Sequence, residues 1–229
     1  MLWTVLGCTT CSIIETLNPE EAWPLAPPAE EDLDWLRVSE LKKVVWEVAN
    51  PMRKESAFYD PDLPKMSPPG LPISGIDNIP TAFLPLFELD SSSTSRNNPY
   101  YTAVQCVVLI LFLPCSRANL MKFLSYLRYM EPAFKHLLEQ RDSRALLLMA
   151  YWYSKLRYGT WWIARRAAVE CQAICIYLER YHADEALLQQ LLQYPKAFCE
   201  MESHPGSSSL YSKGPGIVLE SSEAYSSAL

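Results

Sequence analysis

The chain has 229 residues, 49% of them apolar, which is enough for one well-buried core and excludes wholesale disorder. Its formal charge of −6 is unevenly divided: residues 1–100 carry 7 basic and 15 acidic side chains (−8), residues 101–200 carry 12 and 8 (+4), and residues 201–229 carry 1 and 3 (−2). An acidic N-terminal half beside a mildly basic second half predicts contact between the two, and argues against a nucleic-acid surface, which needs a stronger and more clustered positive field.

Residues 1–18 (MLWTVLGCTTCSIIETLN) are apolar enough for a short buried helix, with β-branched residues that leave a strand open. Pro19–Pro28 reads as a connector. Helical pattern resumes at Glu30–Asp34, with Leu33, Leu36, Leu41, Val44, Val45 and Val48 in one apolar stripe and Lys42, Lys43 and Glu47 facing outward. Asn50–Pro51 stops it. Nine of the 18 prolines lie between Pro51 and Pro99, so that stretch is no regular helix. Its apolar piece Ala82–Leu89 predicts a short helical turn and an ordered strap over the core. Asn98–Pro99 opens a helix running Tyr100 to Leu113. Arg117–Met130 follows, with Leu120, Phe123, Leu124, Leu127 and Met130 on one side, and Pro132 starts a helix over Pro132–Gln140.

The stretch from Arg141 to His182 organises the rest. Two helix-length runs meet at a hinge carrying Gly159 and the Trp161–Trp162 pair. Asp142 stands at the N-cap position before the apolar run Ala145–Ala150. In the second run Ala167, Cys171, Ile174, Leu178 and Tyr181 recur at four- and three-residue steps, predicting a buried stripe, while Arg165, Arg166, Glu170, Glu179 and Arg180 fall on the other sides. Asp184–Gln193 is a final helix closed by Pro195, and from Ser203 onward periodicity disappears. The expected fold is all-α: N-terminal helices over 1–50, a Pro/Ser-rich connector over 51–99, a helical core over 100–202 and a disordered tail over 203–229. Residues 1–202 are expected to form one domain.

Seven cysteines, an odd number and mostly in or beside apolar runs, read as reduced buried thiols of an intracellular protein. Met1–Leu6 lacks a basic segment before its apolar residues, so no secretory signal is expected. The most apolar run, Ala103–Leu113, is about half the length of a membrane span. Cys8 and Cys11 have the spacing of half a zinc or redox site, but no second pair accompanies them. Cys171 and Cys175 lie four apart with His182 beyond, on the apolar stripe, where packing is the expectation. Glu30, Glu31 and Asp34 have the i, i+1, i+4 spacing by which helical carboxylates hold Mg²⁺ in terpene cyclases. The second metal triad that such an enzyme needs is not found, and carboxylates at a helix start also suit its dipole. No GxSxG, Walker loop or dinucleotide fingerprint occurs, and His136, His182 and His204 have no nucleophile beside them in sequence. The expectation is therefore no catalytic residue, no metal site and no cofactor. One constellation is left: Tyr151, Trp152, Tyr158, Trp161 and Trp162 are a candidate pocket for an apolar small molecule such as a sterol or pathway metabolite, with core packing as the plainer reading of the same rings.

The string LLLMAYWYSKLRYGTWWIARRAAVECQAICIYLERYH resembles the C-terminal regulatory region of fungal zinc binuclear cluster transcription factors. DLDWLRVSELKKVVWEVANPMRKESAF and LPLFELDSSSTSRNNPYYTAV are similar to that family as well, so the resemblance runs from about Trp3 to Cys199. The family's six-cysteine cluster, which begins Cys-x2-Cys-x6-Cys and reads DNA, has no counterpart here. After Cys8 and Cys11 the next cysteine is Cys106, so no zinc ligand or DNA-contacting residue is carried over. The resemblance implies a nuclear, transcription-factor-like regulatory protein, in a family some of whose members lie near secondary-metabolite gene clusters. It would act through a protein partner or a DNA-binding transcription factor, without sequence-specific DNA binding of its own. The runner-up readings are the apolar-ligand pocket protein and, further back, the terpene-cyclase-like enzyme.

Overall fold

The computed structural model describes residues 16–38, 48, 54–55, 75–115, 119–156 and 161–200. Among the described residues all regular structure is helical, so the fold is all-α. A 3-10 turn at Pro19–Glu21 and helical residues at 34–38 precede α1 (Phe83–Leu86), α2 (Tyr101–Leu111), α3 (Leu120–Tyr129), α4 (Pro132–Glu139), α5 (Ser143–Leu156), α6 (Trp161–Tyr181) and α7 (Ala186–Glu200). The expectations for residues 1–15, Lys42, Lys43, Glu47, Tyr158, Gly159 and 203–229 lie outside the described residues.

Helix α5 is the axis. Every residue in it except Arg144 is buried, and a helix apolar on all sides must be surrounded. Helices α2, α3, α4, α6 and α7 all pack against it. Its start is fixed locally. The Asp142 carboxylate accepts the Ala145 N–H at 2.9 Å, the expected N-cap. Just before it, α4 ends in a tight reversal: the Arg141 N–H donates to Leu138 O and the Asp142 N–H to Leu137 O, both at 2.9 Å. Such a closure favours glycine at the position held here by Arg141, whose φ is 56°. A left-handed non-glycine residue costs about 1–2 kcal/mol. The Arg141 guanidinium offsets this in part by donating to Asp32 at 2.9 Å.

On α6, Ala167, Cys171, Ile174 and Leu178 are fully buried, as their spacing predicts. Tyr181 is not: it is 60% exposed, because it is the last residue of α6 and has no further turn to cover it, and its ring lies against Tyr177. Arg166 and Glu170 also depart from expectation. They are buried, because they pair with each other and Trp35 roofs the guanidinium at 5.1 Å. Of the N-terminal stripe, Leu33 and Leu36 are buried together with Trp35, whereas Val48 is exposed; Leu41, Val44 and Val45 lie outside the described residues.

Helix α7 does not stop at Pro195 but runs through it to Glu200. Proline lacks the N–H that would bond the carbonyl four residues back. That carbonyl is Leu191 O, and the Tyr151 hydroxyl from α5 donates to it at 2.8 Å. A donor from a neighbouring helix replaces the missing one, which sequence pattern does not reveal.

The acidic N-terminal half is bolted to the basic second half, as the charge division anticipates. Glu20 accepts both guanidinium arms of Arg180 at 2.8 and 3.1 Å, Asp32 holds Arg141, and Glu88 holds Arg144 at 2.7 Å. Arg37 reaches back to Glu139 at 3.2 Å. Within the proline-rich stretch, α1 and its flanks bury Ile79, Phe83, Leu86, Phe87 and Leu89. The Gly75 N–H donates to the Tyr101 hydroxyl at 2.9 Å, while Gly75 O accepts from the Gln105 amide, so α2 holds that segment from both sides. No described helix is long and apolar enough to cross a membrane.

Candidate functional site

Three consecutive aromatics, Tyr151, Trp152 and Tyr153, fill the centre of α5 at 1%, 0% and 0% exposure. Successive helical residues point about 100° apart, so the three diverge. Tyr151 stacks on Tyr194 of α7 (5.1 Å, 6° between planes) and meets Phe83 edge-on at 5.4 Å. Trp152 lies between Trp35 (6.2 Å, 3°) and Tyr126 of α3 (5.4 Å, 25°), and its indole N–H donates to Phe123 O at 2.7 Å. Tyr153 turns to α6 and donates to Glu170. Of the candidate pocket residues, Tyr151 and Trp152 thus face different partners. Trp161 and Trp162 open α6, and their side chains, like Tyr158, lie outside the described residues.

Below Trp35 sits the most deeply buried ion pair among the described residues. Arg166 donates to one Glu170 carboxylate oxygen and Tyr153 to the other. Burial pushes the Glu170 carboxyl up, while Arg166 and the Tyr153 hydroxyl pull it down, with burial the larger. Both oxygens are occupied, so the carboxylate ties α5 to α6 and stands under the N-terminal segment. Burial likewise raises the Tyr151 and Tyr194 phenols and lifts the Cys106 thiol to about 12. The Lys155 ammonium is pushed down by burial and donates to Leu113 O at 3.3 Å.

The carboxylates with terpene-cyclase-like spacing do not share a helix. Glu30 and Glu31 lie in the turn before residue 34, where the helix begins, and Asp34 pairs with Arg37 at 3.0 Å. His136 is engaged by Glu139 and Gln140, and His182 by Glu185 at 2.7 Å. Cys171 and Cys175 are joined not by His182 but by Cys199 from α7, the three Sγ atoms lying within 4.8 Å of one another. Nothing in the local pattern marked Cys199, because the packing of α6 on α7 creates this meeting. Cys8 and Cys11 lie outside the described residues. Comparison of the chain with protein-family models, with curated proteins and with solved structures found no match.

Proposed function

We propose that this chain is a helical regulatory domain that acts in transcription, in the nucleus, through protein contacts, a partner supplying the contact with DNA. The reading rests on the resemblance over Trp3–Cys199 and on the disposition of charge. Six of the 20 basic side chains are committed to carboxylates of the same chain: Arg37 to Asp34 and Glu139, Arg141 to Asp32, Arg144 to Glu88, Arg166 to Glu170, Arg180 to Glu20 and Lys196 to Glu179. Phosphate binding draws on clustered Lys and Arg that neutralise several phosphates at once, and these cations already have anionic partners. The aromatic interior supports the same reading: Tyr151, Trp152 and Tyr153 spend their polar groups on Leu191, Phe123 and Glu170, which makes them scaffold and leaves recognition to the surface.

The test of the partner-supplied contact is a binding titration of the purified chain at about 0.15 M salt against random duplex and duplexes selected from a random pool. The expected result is no site preference and no stoichiometric zinc by elemental analysis. A preference of about 100-fold over random duplex, or two zinc ions per chain, contradicts the proposal.

A further inference from the structure

The thiols between α6 and α7 form a donor set that the proposed regulatory role does not use. Cys171 and Cys175 stand one turn apart on α6, and Cys199, near the end of α7, reaches the same place, with all three sulfurs within 4.8 Å of one another. None of the three is in a disulfide; the first two are buried and Cys199 is half-buried. Among the described residues, the mutually adjacent donors are sulfur alone, without an imidazole or a carboxylate in the group. We propose that Cys171, Cys175 and Cys199 form a three-sulfur site for a single Cu⁺ ion.

Donor type, number and spacing each bear on the choice of ion. Thiolate sulfur is soft and selects Cu⁺ and Zn²⁺ over Mg²⁺ or Ca²⁺, which take oxygen. Structural Zn²⁺ is held tetrahedrally by four protein ligands, at about 2.3 Å from sulfur; this group offers three, so zinc here would need water as its fourth ligand. Cu⁺ is satisfied by two or three thiolates. Three sulfurs about 2.3 Å from an ion in their own plane are about 4.0 Å apart, against about 3.8 Å along a tetrahedral edge. Closing a triangle of up to 4.8 Å onto a trigonal ion is therefore the smaller movement. The helix fixes Cys171 and Cys175, so the adjustment falls on Cys199, one residue from the end of α7.

Hydrogen bonding among the three thiols and burial hold Cys171 protonated, and Cys175 is likewise raised well above the ordinary thiol range. Binding exchanges three S–H bonds for three S–Cu bonds, and three protons pass to the solvent. No electron is transferred, because copper enters and stays as Cu⁺. The complex carries net negative charge, and the ion pair of Lys196, one turn before Cys199, with Glu179, one turn after Cys175, joins the same two helices.

The test uses the full chain, reduced and free of added thiol, under anaerobic conditions. It carries Cys8→Ser and Cys11→Ser to remove the only CxxC pair in the sequence. Cu⁺ is supplied as its acetonitrile complex against a chromophoric Cu⁺ chelator. The expected result is one Cu⁺ per chain withdrawn from the chelator, with near-ultraviolet sulfur-to-copper absorption. Adding Cys199→Ser should weaken binding about 100-fold or more, since loss of even an outer-shell partner costs about 10–100-fold. Its far-ultraviolet circular dichroism should be unchanged. Adding Cys115→Ser instead should leave binding as it was. No withdrawal of Cu⁺, equal binding by the folded Cys199→Ser variant, or displacement of Cu⁺ by an equivalent of Zn²⁺ would each overturn the proposal. None of these results depends on whether the chain regulates transcription.

Discussion

Replacing Tyr151 by Phe removes one oxygen atom and should cost far more than that atom's contacts. Leu191 is 2% exposed, and its carbonyl cannot be served by residue 195, which is proline. The Tyr151 hydroxyl at 2.8 Å is the donor found there. Leaving a buried carbonyl unpaired costs about 1–3 kcal/mol, and the ring's contacts with Tyr194 and Phe83 persist in phenylalanine. Taking about 2 kcal/mol, the expected fall in Tm is about 4–8 °C for a chain of this size. The specific assay is a double-mutant cycle by urea unfolding. Pro195→Ala restores an N–H that can reach Leu191 O, so Tyr151→Phe should cost at least about 1 kcal/mol less in that background. Tyr126→Phe is the internal control. That hydroxyl is equally buried but has no hydrogen-bond partner among the described residues, so its removal should be neutral or stabilise by about 1 kcal/mol. Equal costs for Tyr151→Phe in both backgrounds would refute the reasoning, as would a Tyr126→Phe variant that suffers as much.

Leu178→Ala should destabilise by about 2–5 kcal/mol in chemical denaturation, whereas Arg180→Ala, which breaks an exposed pair with Glu20, should leave the midpoint within scatter. Glu170→Ala removes the buried carboxylate to which Arg166 and the Tyr153 hydroxyl both donate and should cost about 3–5 kcal/mol. Stability should fall at alkaline pH: Cys106 titrates near 9 when unfolded and at about 12 when folded, so its contribution is full below about pH 9. It is lost as pH rises through that window at about 1.4 kcal/mol per unit. Urea midpoints at pH 8 and pH 10.5 check this, and Cys106→Ala should flatten the slope.

What the sequence disclosed is what local rules govern. The Asp142 cap, Pro132 at the start of α4 and the α6 stripe from Ala167 to Leu178 are set within a few residues of chain, and the structure has them where the pattern places them. The short helix at Phe83–Leu86 was legible for the same reason. The charge division between the halves was also readable, since long-range attraction needs only totals, and it reappears as Glu20–Arg180, Asp32–Arg141 and Glu88–Arg144. What escaped depends on partners distant in sequence. Arg166 and Glu170 read as solvated until Trp35, 131 positions earlier, is laid over the guanidinium. Pro195 reads as a stop until Tyr151 supplies the donor. Cys199 belongs to no motif until α7 packs on α6. Of the candidate pocket residues, Tyr151 and Trp152 are adjacent in sequence yet directed to different neighbours, as successive helical residues are, while the side chains of Tyr158, Trp161 and Trp162 lie outside the described residues.

The measurement that bears most directly on the account is a tethered reporter. The chain is fused to a heterologous DNA-binding domain and transcription is read from a promoter carrying that domain's site. A chain that regulates through protein contacts should raise or lower transcription at least several-fold over the DNA-binding domain alone. Glu170→Ala, which disturbs the scaffold without touching the surface, should abolish the effect in proportion to its loss of folded protein. Transcription indistinguishable from the unfused DNA-binding domain, at matched expression and with the chain folded, would contradict the proposed function.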